Sequence, residues 1–78
     1  MKDYSKRYDV RILMERLAIV TTNIQNAQSY SMMIDFQNGD VRFNKYVDDT
    51  AIPVCSFIRM STLVNMNYQE LVNYGKQL

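Results

Sequence analysis

The segment YSMMIDFQNGDVRFNKYV, running from Tyr30 to Val47, decides the fold. Two alternating runs flank Asn38-Gly39. A type I′ turn needs positive φ at both central residues, which Asn tolerates and Gly adopts freely because it has no Cβ. The segment therefore reads as a β-hairpin. A two-residue loop predicts the register: Phe36 opposite Val41, Asp35 opposite Arg42, Ile34 opposite Phe43 and Tyr30 opposite Val47. Successive side chains point to opposite faces. One face then gathers Tyr30, Met32, Ile34, Phe36, Val41, Phe43 and Val47. The other gathers Met33, Asp35, Gln37, Asp40, Arg42, Asn44 and Tyr46. An Asp35–Arg42 pair across the wet face would contribute roughly 0.2–1 kcal/mol. A slip of one residue would bury Asp35 and Arg42, so the facing is strongly specified. A lone hairpin is marginal in water, and its apolar face needs a cover.

The N-terminal segment supplies one. Residues 1–28 read as a long helix, with Val10, Leu13, Leu17, Val20, Ile24 and Ala27 recurring at spacings of three and four. Thr21, Thr22 and Asn23 are poor helix formers and predict fraying or an early stop. Tyr8, Ile12 and Ile19 fall on roughly the opposite side, since each helical residue advances about 100°. A second apolar stripe on so short a chain predicts self-association, and these three residues are the candidates for a homodimer contact.

Beyond the hairpin, Asp48, Asp49, Thr50 and Ala51 form a polar connection. Residues 52–60 fit a third strand, with Ile52, Val54, Ile58 and Met60 alternating and Pro53 near the start of an edge strand. A helix capped by Thr50, with Pro53 in its first turn, is the alternative. Ser61-Thr62 mark the end of the strand. Residues 67–77 read as a short helix. Asn67 and Glu70 have capping-box spacing, Tyr68, Leu71 and Val72 form the apolar side, and Gly75 is a candidate C-cap. The fold class is α+β: one domain over residues 1–78, a long N-terminal helix on a small antiparallel sheet, and a short C-terminal helix.

Composition argues against most catalytic classes. The 78 residues contain no His, so a Ser-His-Asp or Cys-His arrangement has no base, and a Cys/His zinc site has no imidazole. The single Cys, Cys55, excludes an internal disulfide, and its apolar surroundings predict a buried, inert thiol. The two glycines are assigned to a turn and a helix end, leaving none for a phosphate-binding loop. Asp40, Asp48 and Asp49 lack calcium-loop spacing. A chain this short is expected to have little room for a deep pocket of about 300 Å³ or more. The expectation is a non-enzyme with no cofactor and no metal.

Net charge is +1 and no like-charge run exceeds a pair, which gives no electrostatic case for a membrane or polyanionic partner. Lys6, Arg7 and Arg11, with Tyr4 and Tyr8 interleaved, could lie along nucleic-acid phosphates. Asp3, Asp9 and Glu15 sit among them, so nucleic-acid binding is the second choice. No apolar run approaches a membrane span, the first residues lack a signal-peptide core, and a cytoplasmic protein is expected. Six Tyr and six Met in 78 residues favour a protein interface, where Tyr offers rigid amphipathic area and Met adapts to shape. Met33, Arg42 and Tyr46, on the wet hairpin face, are the candidate partner-binding residues. An Asn-, Tyr- and Met-rich style is common among small accessory proteins of phages and mobile elements. The functional expectation is a small interaction module, homodimeric, that modulates or inhibits a larger host protein.

Overall fold

The computed structural model describes residues 6–25, 29–46 and 52–78. The elements run in the order α1 (Val10–Thr22), β1 (Ser29–Asp35), β2 (Asp40–Tyr46), β3 (Val54–Arg59), α2 (Met60–Asn65) and α3 (Tyr68–Gln77). The strands form one antiparallel sheet in the order β1-β2-β3. The helices line one of its faces, giving the expected α+β arrangement.

Helix α1 is shorter than the apolar pattern predicts, because both ends are fixed by side chains that compete for backbone groups. Asp9 is the N-cap and accepts from the Arg11 N–H at 2.9 Å, a contribution of about 1 kcal/mol. Residues 6–9 therefore precede the helix, and Tyr8 is not on it. At the other end Thr21 Oγ1 donates to the Ala18 carbonyl at 3.2 Å, as does Thr22 Oγ1, and Asn23 Nδ2 donates to the Ile19 carbonyl at 2.7 Å. Side chains that take up the last carbonyls end a helix, so the early stop falls at Thr22. Ala27 lies outside the described residues. Leu13, Leu17 and Val20 are fully buried as the stripe predicts, whereas Val10 is half exposed.

The hairpin forms, with a different turn. Asp35 lies opposite Asp40, Met33 opposite Arg42 and Ile34 opposite Val41, leaving a four-residue loop, Phe36 to Gly39. The cause is Asp35. Its Oδ1 accepts from the Gln37 and Asn38 N–H groups at 3.0 and 3.1 Å, and its Oδ2 accepts from Asn38 Nδ2 at 2.7 Å. The Gly39 N–H donates to the Asp35 carbonyl at 2.9 Å, with Gly39 at φ 72°. Charge-assisted bonds inside the turn outweigh an exposed pair with Arg42, and the predicted Asp35–Arg42 apposition is not made. The shift is two residues, so the facing of the strand residues survives, while Phe36 and Gln37 pass from strand to loop. Val47 lies outside the described residues.

The third strand is present but stops at Arg59. Met60, read from the sequence as the last residue of the strand, instead begins α2. The Met60 N–H donates to the Gly39 carbonyl at 2.8 Å, tying the start of α2 to the hairpin loop. Met60 and Leu63 are fully buried. The α3 capping box forms as predicted, Glu70 N–H to Asn67 Oδ1 at 2.8 Å and Asn67 N–H to Glu70 Oε1 at 3.0 Å. Two details differ: Tyr68 is exposed, and Gly75 is inside the helix and buried. A Cβ at Gly75 would run into the Val20 carbonyl oxygen and come within 2.9 Å of Asn23 Cβ. Glycine is there so that α1 and α3 can touch backbone to backbone.

The core is continuous from Leu13, Leu17 and Val20 through Val41, Phe43 and Ile58 to Met60, Leu63 and Leu71. Tyr74 on α3 closes it against β2, its ring 6.1 Å from that of Phe43 in an edge-on arrangement, with its hydroxyl 3.3 Å from Ser56 Oγ on β3.

Candidate interaction face of the sheet

The three-stranded register fixes what the outer face presents. Val41 pairs with Ile34 and Ile58, and all three turn toward the helices. The residues between them turn away. Three rows cross the sheet on that side: Asp35, Asp40 and Arg59; Met33, Arg42 and Phe57; Ser31, Asn44 and Cys55. Among the described residues no element covers them. Asn44 Nδ2 donates to Ser31 Oγ at 3.4 Å along the third row.

The middle row is chemically distinct. Phe57 is 70% exposed and Met33 57% exposed, and Arg42 stands between them. The Arg42 side chain makes no hydrogen bond or ion pair with any described residue, its backbone being held in the ladder between β1 and β3. Asp35 and Asp40 stand one row over; the Asp35 carboxyl lies below the usual 3.8, chiefly through the Asn38 side-chain hydrogen bond, with Arg42 a minor contributor. An arginine flanked by two large apolar side chains has a weakly hydrated guanidinium ready to accept a carboxylate in a dry contact. Beside the row runs an open groove of about 330 Å³ lined by Met33, Asp40, Arg42, Asn44, Cys55 and Phe57. Asp40 Oδ1 lies at its edge, buried and without a hydrogen-bond partner.

No family model, characterised protein or solved structure matches this chain.

Of the residues expected to bind a partner, Met33 and Arg42 are brought directly opposite each other. Tyr46 shares their face at the far end of β2, two rows away and half buried. Phe57 is the residue the sequence reading missed. The signal was present: if Val54, Ser56 and Ile58 face inward, Cys55, Phe57 and Arg59 must face outward. The same alternation corrects Cys55, which is exposed, with Sγ 3.9 Å from the Pro53 carbonyl oxygen.

The α1 candidates are dispersed. Tyr8 and Ile19 are half buried against the chain's own core, and only Ile12, at 40%, is well exposed. Lys6 and Arg7 are exposed but precede the helix, so no continuous basic helical face forms. Arg11 is almost wholly solvated, its Nε 3.8 Å from Asp9 Oδ1.

Open concavities of about 310–370 Å³ exist on both sides of the sheet. The one on the helix side is lined by Tyr30, Phe43, Lys45, Val54 and Tyr74. Its cation is already engaged: Lys45 Nζ donates to the Gln25 carbonyl at 3.3 Å and to the Leu78 carbonyl. Among the described residues no three His, Cys, Asp or Glu side chains converge as metal ligands would, and no helix is long and apolar enough to cross a membrane.

Proposed function

We propose that the chain is a non-enzymatic interaction module that docks on a larger protein through the open face of its sheet and modulates or inhibits that protein in the cytoplasm. The observation that carries this reading is the Met33–Arg42–Phe57 row. Large apolar patches left in water on a small domain mark contact surfaces, and Arg and aromatic residues supply most of the energy at protein interfaces. The matching partner surface is apolar and bears a carboxylate for Arg42. Burial of that ion pair between Met33 and Phe57 would give the contact its orientation as well as its strength.

The test is capture of the partner by the tagged chain from a lysate of its source organism, with and without nuclease. The expected result is a stoichiometric protein that survives nuclease, is lost with Arg42→Glu and with Phe57→Ser, and is kept by a Lys6→Ala, Arg7→Ala, Arg11→Ala variant. Loss of all bound material on nuclease treatment, or loss only in the triple variant, would assign the chain to nucleic acid instead. Nucleic-acid binding would also weaken steeply with salt as counterions are released.

A further inference from the structure

We infer that two copies of this chain pair through the free edge of β1, in antiparallel fashion about a two-fold axis at Met32, to make one continuous six-stranded sheet. Among the described residues β1 is an edge strand, hydrogen-bonded on one side to β2. The Asp35 carbonyl is turned into the hairpin, where it accepts from the Gly39 N–H. Backbone groups alternate in direction along an antiparallel strand. Those of Met33 and Ser31 therefore share the Asp35 direction, and those of Ile34, Met32 and Tyr30 point out from the sheet.

Natural edge strands carry a Lys, a Pro or a bulge that blocks pairing. β1, with the sequence SYSMMID, has none of these, and its register with β2 is unbroken. The opposite edge is guarded at both ends, by Pro53 just before β3 and Arg59 at its close. The side chains along β1 are also only partly covered: Tyr30 is 46% exposed and Met33 57%, while Met32 and Ile34 are half buried.

The strand is complementary to itself in one register. With Met32 opposite the Met32 of a second copy, Tyr30 falls opposite Ile34 twice, an aromatic against a β-branched residue, which is a favourable cross-strand pair. All three outward-pointing backbone positions then find partners. A shift of two residues in either direction leaves Tyr30 or Ile34 unmatched. Asp35 falls opposite Ser29, and the two Asp35 carboxylates end up about 20 Å apart at 3.4 Å per residue, beyond the screening length of about 8 Å. The two Met33–Arg42–Phe57 rows come to lie on the same side of the joined sheet.

Pairing of copies does not require the docking partner, and the experiment uses the purified full chain alone. Sedimentation equilibrium across a dilution series is expected to show a monomer–dimer equilibrium. Amide exchange read by NMR is expected to slow at Tyr30, Met32 and Ile34 as concentration rises, with Ser31 and Met33 protected throughout. Tyr30→Pro, which removes an outward N–H and a cross-strand pair from each copy, is expected to raise the dissociation constant by about tenfold or more. Met32→Cys in a Cys55→Ser background is expected to form an intermolecular disulfide on mild oxidation, because paired Cα atoms about 5.5 Å apart suit one. A chain that stays monomeric at every concentration would overturn the inference. So would a dimer whose Tyr30, Met32 and Ile34 amides exchange as fast as in the monomer, a result read on the unaltered protein.

Discussion

Replacing Gly75 with Ala sets two effects of known size against each other. In a helix interior Ala is favoured over Gly by about 1 kcal/mol, so on α3 alone the change would stabilise. Against this, the new Cβ would meet the Val20 carbonyl oxygen, with Asn23 Cβ at 2.9 Å and the Val20 carbonyl carbon at 3.2 Å. Two of these three atoms are backbone, so no rotamer change relieves them. The helices must separate by several tenths of an ångström, loosening the contacts of Leu17, Val20 and Leu71, all buried. Overpacking of this kind costs typically 1–3 kcal/mol, and the gap between the helices forfeits dispersion contacts besides. The expected net loss is about 1–2 kcal/mol, a large part of the roughly 4–12 kcal/mol a chain of this length commands. The midpoint of thermal unfolding should fall by about 5–15 °C. Urea unfolding followed by circular dichroism should give a lower midpoint with an unchanged slope. Gly75→Val should cost more, and Asn73→Ala, on the exposed side of the same helix, should cost nothing measurable. A Gly75→Ala chain as stable as the parent would refute the account of how α1 and α3 meet.

Other predictions follow from single contacts. The Asp35 carboxyl, lowered first by the Asn38 side chain and then by backbone N–H groups, contributes stability that is present above about pH 3.8 and lost as pH falls through its lower folded value. An NMR titration of Asn38→Ala should show that carboxyl returning toward the ordinary range. Asn67→Ala removes one half of the α3 capping box and should cost about 1 kcal/mol in urea unfolding. Ile12→Asp should leave the fold intact, whereas Ile19→Asp should destabilise it measurably, because Ile19 packs on the core and Ile12 does not. Cys55, being exposed, should react with a thiol reagent in the native chain at nearly the rate seen in urea; strong native protection would mean that the sheet's outer face is covered.

The parts of this fold that were legible in the sequence are those set by period. The alternation from Tyr30 to Tyr46 assigns the residues of β1 and β2 to their correct faces, though Phe36 and Gln37 fall in the loop, and the spacing of Leu13, Leu17 and Val20 picks out the buried stripe of α1. Capping chemistry was legible at Asn67 and Glu70, where the two residues stand at capping-box spacing just before an apolar run, and not at Asp9, whose cap lies inside a segment that reads as continuous helix. The failures have separate physical causes. The hairpin register turned on one side chain, since Asp35 found better acceptor work in the turn than across the strand from Arg42. Helix α2 is too short to show a period and has no side-chain cap; burial of Met60 and Leu63 holds it in place. The role of Gly75 depends on Val20, distant in sequence and adjacent in space. Phe57 was hidden by an unsettled choice between strand and helix for residues 52–60. Once the strand is fixed, it stands on the outer face beside Arg42, completing a row of which the sequence reading had named two members.

The most direct test of the docking account places a photoreactive amino acid at position 57, and in a second chain at position 12, and irradiates each in a lysate of the source organism. The account predicts a discrete protein cross-link from position 57 that disappears with Arg42→Glu, and none from position 12. A cross-link from position 12 alone, or a product from position 57 that nuclease digests, would contradict it.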